Sequence, residues 1–402
     1  MKVFVSAGDI SGDNHAARLV RELRSLVPDL EVYGIGGDRL REEGAHIYYH
    51  LDELSVVGIG EVFGKLPAIW RAGRGTRKIL KNIPPDVVLF VDYPGFNLLL
   101  AKTAHRMGLK VIYYIPPQIW AWGRYRMRYI KKWVDKVITI LPFEQDFYKK
   151  YGIDTCFVGH PLLDAIDEKR EKGRFIALLP GSRMSEIRNI LPLLLSISRI
   201  FPDEEFIVPL ASHRHKDFVT SLVEGINPKV AVKVGSTYEV LSRSKLAITA
   251  SGTATLECAI IGVPLIIVYK ISSLSWVFAR AVVDIPYIGL VNLVAGKEIA
   301  PEFVQSKASP EKIVPVIKRL LKDENKGMEK ELNKVRKMLG EKGASRRAAE
   351  IVAECLQEKK SNSNIKRWDK KIGLTCLPCL PAGRRQARQE VTERKKQCKM
   401  QN

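Results

Sequence analysis

The sequence has few cysteines and no pattern among them: six are scattered through 402 residues, and nothing precedes the first apolar stretch, Met1-Lys2-Val3-Phe4-Val5. A disulfide framework and a leader are therefore not expected, which points to a reducing cytoplasm. Long apolar runs are missing as well. The longest, 259–269, is broken by Gly262 and Pro264 and falls short of the roughly 18 to 20 residues that cross a bilayer. Cys376-Leu-Pro-Cys379 has no second pair, only Cys398 downstream, which argues against structural zinc. The first strand-to-helix turn lacks the G-x-G-x-x-G spacing of a dinucleotide site. No cofactor and no metal is expected.

Acidic residues are in deficit. The 44 Asp and Glu against 65 Lys and Arg leave a formal net charge of +21. Residues 359–402 hold thirteen basic and three acidic side chains, so the tail carries +10 and the body +11. A basic body calls for an anionic partner: nucleotide, phosphorylated sugar, nucleic acid or membrane surface. Length and a hydrophobic content of 46% predict two domains with real cores and an appendage. The boundaries fall at 1–165, 166–358 and 359–402, the last dissolving into SNSN, Pro and Gly-Arg-Arg and expected to be disordered.

What is present is an alternation of apolar strands with helical periodicity. Strands are expected at 1–7, 30–36, 84–92, 109–115, 136–140 and 154–158, and after a charged crossing at 175–179, 206–209, 230–234, 246–249 and beyond Pro264. From 310 to 358 the pattern is helical. This is the α/β class with doubly wound parallel sheets, whose ligands meet the turns at the carboxyl ends of the strands.

Four such turns carry chemistry. In LAITASGTATLECAIIGVPLIIVY, 246–269, Ser251, Gly252 and Thr253 open a helix whose N–H groups and positive dipole end suit a pyrophosphate. Glu257 follows on the same helical face as Thr253, placed to accept hydrogen bonds from ribose hydroxyls. The competing reading is a Ser/Thr-capped helix with Glu257 solvated. At Pro180-Gly181-Ser182-Arg183 a guanidinium at a helix start would neutralise a departing diphosphate without metal, or else form a surface ion pair. Asp92 ends the apolar run PPDVVLFVD ahead of Tyr93-Pro94-Gly95-Phe96-Asn97, a place for a general base or for an Asx turn. The turn 8–13 carries Asp9, Ser11 and Asp13; it reads as a wall for an acceptor or sugar hydroxyls, or as the cap of a helix over 15–26. Asn292, in LVNLVAG, is a loop amide within reach of a base or phosphate.

Two stretches suggest surfaces. LSVVGIGEVFGKLPAIW, 54–70, puts Val56, Val57, Phe63 and Trp70 among three glycines ahead of Arg71 and Arg74, as in a monotopic membrane patch or a buried loop and helix. WGRYRMRYIKKW, 122–133, interleaves rings with basic residues; nucleic-acid binding competes there with an amphipathic helix that has a basic edge. His160, in Gly159-His160-Pro161, reads as a linker or packing histidine.

Taken in order, Ser11-Gly12-Asp13, Asp92 to Asn97, Trp120-Ala121-Trp122, Leu141 to Glu144, Gly159-His160, Leu179 to Arg183, Ala250 to Glu257 and Asn292 to Gly296 resemble the lipid-A-disaccharide synthase family from the first residue to about 358. The resemblance implies an inverting glycosyltransferase of the GT-B arrangement, two Rossmann-like domains facing a cleft. It implies UDP-2,3-diacylglucosamine and 2,3-diacylglucosamine 1-phosphate as substrates and peripheral residence on the cytoplasmic face of the inner membrane. Asp92 then resembles the base for the acceptor 6-hydroxyl, Arg183, Glu257 and Asn292 the UDP site, and 54–70 the membrane patch. Asp9 stands where members of the family often carry Glu, and the tail has no counterpart.

Overall fold

The computed structural model describes residues 1–54, 59–171, 173–272, 276, 283–322 and 326–371. Val56 and Val57 lie outside these residues, and of Phe63 only the backbone is described, within the helix Ile59–Asn82.

The strands β1 (Lys2–Ala7), β2 (Glu31–Gly36), β3 (His46–His50), β4 (Val87–Val91), β5 (Lys110–Tyr114), β6 (Lys136–Thr139) and β7 (Thr155–Phe157) form a parallel sheet in the order β3-β2-β1-β4-β5-β6-β7. A second parallel sheet contains β8 (Phe175–Leu179), β9 (Phe206–Leu210), β10 (Ala231–Val234), β11 (Ser244–Ala250), β12 (Leu265–Tyr269) and β13 (Glu302–Val304), ordered β10-β9-β8-β11-β12-β13. Every residue of β4 and β8 is buried, as strands covered by helices on both faces must be. In each sheet the winding reverses beside the first strand, between β1 and β4 and between β8 and β11. The turns that carry Asp9, Asp92, Arg183 and Ser251 leave from those four strands, so all four chemical turns sit at switch points.

The cores follow from the same pattern. The helices Ile59–Asn82, Pro94–Arg106 and Met127–Trp133 press Leu80, Ala101 and Ile130 onto Phe90 and Tyr113 of the first sheet. The helices Met184–Ser198 and Pro310–Leu321 cover one face of the second sheet through Leu191, Leu194, Ile313 and Ile317. A third cluster joins the halves: Trp120, Ala121 and Leu141 pack with Phe175, Leu179 and Leu256. Each Leu, Ile or Phe side chain so removed from water contributes about 1.5 to 3 kcal/mol.

The chain separates into two compact units, Met1–Ala353, which contains both sheets, and Glu354–Asn402. Within the first unit the chain after the second sheet returns to the end of the first: His160 N–H donates to the Leu339 carbonyl at 2.9 Å, and Arg347 Nε to the Val158 carbonyl at 2.8 Å. The described part of the second unit is helical to Lys371.

Three elements differ from expectation. The first helix begins at Ile10 rather than 15, because the Asp9 carboxylate accepts the Gly12 N–H at 2.6 Å and pulls 10–13 into the first turn. β3 and β13 were not expected; both are sheet-edge strands of half-buried residues, without an apolar run to announce them.

Gly34 lies at φ +156° in β2, where a Cβ would stand 1.8 Å from the Val5 carbonyl oxygen of β1. Gly34→Ala should cost about 3 kcal/mol or more in urea unfolding, since the strands must part to admit the methyl group. A loss below about 1 kcal/mol would contradict this reading of the contact.

Candidate active site

Asp92 and Tyr93 are consecutive non-glycine residues in the left-handed region, each with φ 48°. Such residues cost of order 1 to 3 kcal/mol each and persist only where the surroundings impose them. Here they do. The Asp92 carbonyl accepts from the Tyr113 hydroxyl at 2.7 Å and from Asn97 Nδ2 at 2.8 Å, while its N–H donates to the Tyr114 carbonyl at 3.2 Å. Asn97 is itself buried, and its Oδ1 accepts from Ser6 Oγ at 2.7 Å, which ties the ends of β1 and β4 together. The Tyr93 ring turns over Gly8, where a Cβ would come within 2.0 Å of it.

The Asp92 carboxylate accepts the Tyr93 N–H at 2.8 Å and has no other hydrogen bond among the described residues. Burial, and after it the nearby Asp9, raise its pKa to about 6, against the Tyr93 N–H and the positive charge of Arg183 from the second sheet. The structure thus brings Asp9 and Arg183 each within electrostatic reach of Asp92. Ser11 is exposed on the first turn beside them. Asp13 is elsewhere: it is buried, and its carboxylate accepts the Gly37 N–H at 2.7 Å and the Arg39 N–H at 3.1 Å, a brace for the turn after β2.

In the second half, Ser182 and Arg183 lead into the helix Met184–Ser198, and their own N–H groups are occupied. Glu186 Oε2 accepts from Ser182 N at 3.0 Å and Arg183 N at 3.2 Å, and Oε1 takes Arg183 Nη1 at 2.9 Å. The guanidinium remains 76% exposed. The Ser251 hydroxyl is committed to the Ile288 carbonyl at 2.8 Å, whereas among the described residues the N–H groups of Gly252 and Thr253 have no acceptor. A Cβ at Gly252 would meet nothing within 4 Å, so the turn is open. Glu257 lies largely buried one turn on, without a hydrogen-bond donor among the described residues, and burial raises its pKa to about 7.

Asn292 corrects an expectation. It is not a loop amide: it is fully buried in the helix Leu290–Ala295, and its side chain is saturated by the protein. Its Nδ2 donates to the Ala300 carbonyl and Glu302 Oε1, both at 2.8 Å, and its Oδ1 accepts from Ile299 N at 2.9 Å and Ala300 N at 3.0 Å. Glu302 also takes the N–H groups of Ile288 and Gly289 at 2.8 Å. Asn292 therefore supports the turn against which Ser251 leans. Glu302, Glu186 and Asn97 were not singled out from sequence; only Glu186, three residues inside a helix start, carried a local signal, the capping-box spacing.

Glu144 is a further buried carboxylate near Asp92. It accepts Trp120 Nε1 at 2.9 Å and the Leu141 N–H at 3.3 Å, and burial lifts its pKa to about 7. His160 is buried, its Nδ1 accepting the Leu162 N–H at 3.2 Å, and burial holds its pKa near 3. It stays neutral as a packing group. Among the described residues no cluster of three or more metal-ligating side chains occurs, and no helix is long and apolar enough to cross a membrane.

Two consequences are measurable. Asn292→Leu takes the partner from the Ile299 and Ala300 N–H groups and from the Ala300 carbonyl and should cost about 3 kcal/mol in urea unfolding; a cost under about 1 kcal/mol would refute the bracing role. Asp92 keeps its proton more firmly folded than unfolded, so its contribution to stability is full below its ordinary value of 3.8 and is lost as pH rises through about 6. Asp92→Asn should therefore exceed the wild type in stability by about 2 kcal/mol at pH 8 and match it near pH 4. Equal stability at both pH values would show that the carboxylate is not desolvated.

The comparisons with known proteins agree with the two-sheet fold. The lipid-A-disaccharide synthetase family model matches residues 3–356. The lipid-A-disaccharide synthase of Syntrophus aciditrophicus is 40% identical over 366 residues, covering 86% of this chain and 96% of its own length. That of Trichlorobacter lovleyi is 38% identical over 375 residues, covering 89% and 98%. Among solved structures, the kitacinnamycin glycotransferase superposes with a TM-score of 0.61 at 17% identity, covering 88% of this chain and 98% of that one. MurG of Acinetobacter baumannii gives 0.57 at 14%, covering 88% and 99%, and these likenesses show the GT-B fold. With two switch-point edges, a family match across nearly all of the sheets and relatives of full length, the chain belongs to the lipid-A-disaccharide synthase family of glycosyltransferases.

Proposed function

We propose that this chain transfers 2,3-diacylglucosamine from UDP-2,3-diacylglucosamine to the 6-hydroxyl of 2,3-diacylglucosamine 1-phosphate, with Asp92 as general base. The observation that carries the assignment is the Asp92 carboxylate itself: desolvated, nearly free of protein donors, held by a strained backbone at the switch point and facing Arg183. At neutral pH it is ionised and ready to accept a proton. As the acceptor oxygen attacks the anomeric carbon, Asp92 takes its hydrogen; the bond from that carbon to the diphosphate breaks, UDP leaves with the electron pair, and the configuration inverts.

The charge arriving on UDP falls to the second half. The unpaired N–H groups of Gly252 and Thr253 at a helix start, with Arg183 opposite, suit the diphosphate. Glu257 suits the ribose diol, whose hydroxyls would supply the donors that its carboxylate lacks. Asp9 and Ser11 border the acceptor. Ser251 and Asn292 act by holding the loop. Work at the cytoplasmic face of the inner membrane fits acylated substrates, and Trp70, 60% exposed, fits the contact.

UDP release from the donor sugar should require the acceptor and proceed in a metal chelator. Asp92→Ala should bind UDP within about threefold of wild type yet lose a factor of 10² to 10⁴ in turnover. Equal loss of binding and turnover would remove Asp92 from the base role, and UDP freed without acceptor would remove the proposed substrates.

A further inference from the structure

The segment after β5 holds a strained residue and leans on a buried carboxylate, and the chemistry above uses neither. Ile115, which is β-branched, stands at φ 54°, a conformation that persists only where neighbours impose it. From there residues 116–122 run along the carboxyl edge that also carries Asp92, since β5 pairs with β4. The helix Pro142–Lys149, which follows β6, pins this strap twice. Glu144 Oε1 accepts Trp120 Nε1 at 2.9 Å, and one turn later the Tyr148 hydroxyl donates to the Pro117 carbonyl at 2.7 Å. Four residues apart, the two side chains share one helical face.

Glu144 is only 2% exposed, and among the described residues no Lys or Arg pairs with it. The donors to its carboxylate are backbone N–H groups and the Trp120 indole. An exposed carboxylate caps a helix as well as a buried one does. What burial adds here is the bond to Trp120.

The strap in turn reaches the second half at two places. Trp120 stands edge-on to Phe143, with ring centroids 5.0 Å apart, and packs with Leu179 and Leu256. Leu179 ends β8 just before the turn of Arg183, and Leu256 precedes Glu257. The Ala121 carbonyl accepts the Asp284 N–H at 3.2 Å, on the segment that leads to Ile288 and its bond from the Ser251 hydroxyl. The Arg124–Asp284 ion pair beside it is exposed at both ends and adds little.

We propose that Glu144 is a positioning residue for sugar transfer: through its bond to Trp120 it holds the strap that sets the spacing between Asp92 and the turns of Arg183 and Ser251. The role rests on the transfer reading. Base and diphosphate site stand on different sheets, and a misplacement of about 1 Å between them lowers the rate on the order of a hundredfold. The anion site itself stays assembled without the strap, because Glu302 and Asn292 hold its loop from within the second half. Loss of the Glu144–Trp120 bond therefore slows turnover and leaves the grip on UDP intact. A strut that served stability alone would leave the turnover of the folded protein unchanged.

The test compares kcat, UDP affinity by calorimetry and the urea midpoint for the full chain and four variants. Glu144→Leu and Trp120→Phe should each lower kcat about 10- to 100-fold, with UDP affinity within about threefold of the wild type. Their double variant should be no slower than the slower single one, since both remove the same bond. Glu144→Gln keeps an amide oxygen for the indole N–H and should turn over within about threefold of the wild type. Should Glu144→Leu fail to fold, Trp120→Phe and Glu144→Gln decide. A kcat for Trp120→Phe within about twofold of the wild type would overturn the role, as would losses that multiply in the double variant, a Gln variant as slow as Trp120→Phe, or UDP affinity that falls in step with kcat. A wild type that releases no UDP would overturn the transfer reading and this role with it, whereas an active wild type beside unchanged variants overturns this role alone.

Discussion

The structure depends on how the end of β4 is tied to its neighbours. Two left-handed residues in succession are unfavourable, and three hydrogen bonds to the backbone of Asp92 hold it there, from Tyr113 and Asn97 and to Tyr114. All three partners belong to the first sheet or the helix that follows β4. Because Asn97 also bonds Ser6 in β1, the strain is confined to the switch point and does not travel along the sheet. The result is a carboxylate aimed out of the sheet, dry enough to hold its proton until about pH 6 and free enough to accept one from a substrate.

The second half answers with positive rather than negative features, and it arranges them differently at its two turns. At β8 Glu186 takes the N–H groups of Ser182 and Arg183 just ahead of the helix, and the Arg183 side chain supplies the charge. At β11 the backbone supplies it, because Ser251 spends its hydroxyl on Ile288 and leaves the N–H groups of Gly252 and Thr253 open. Asn292 and Glu302 hold that second turn from behind. An anion meeting both turns is gripped without a metal ion in the proposed reading.

Legibility in the sequence follows burial and sequence distance. β4, VVLFV, is readable because strands covered on both faces must be continuously apolar, and Asp92 is readable because a carboxylate ending such a run stands at the ligand edge. The edge strand β3, HIYYH, is not readable, since half-buried residues follow no clean period. The backbone strain at Asp92 leaves no trace in the chain, as its causes, Tyr113 and Ser6, come from other strands. Asn292 misled for the same reason: an amide in an apolar turn looks free until Glu302, on a three-residue strand, is seen to meet it.

The most direct test of the central claim is the pH dependence of kcat/KM for sugar transfer, which reports the ionisation of the free enzyme. The account predicts an acid limb that rises through about pH 6 in the wild type and is absent from the residual activity of Asp92→Asn. A wild-type profile flat between about pH 5 and 8, or an acid limb that survives in Asp92→Asn, would contradict it.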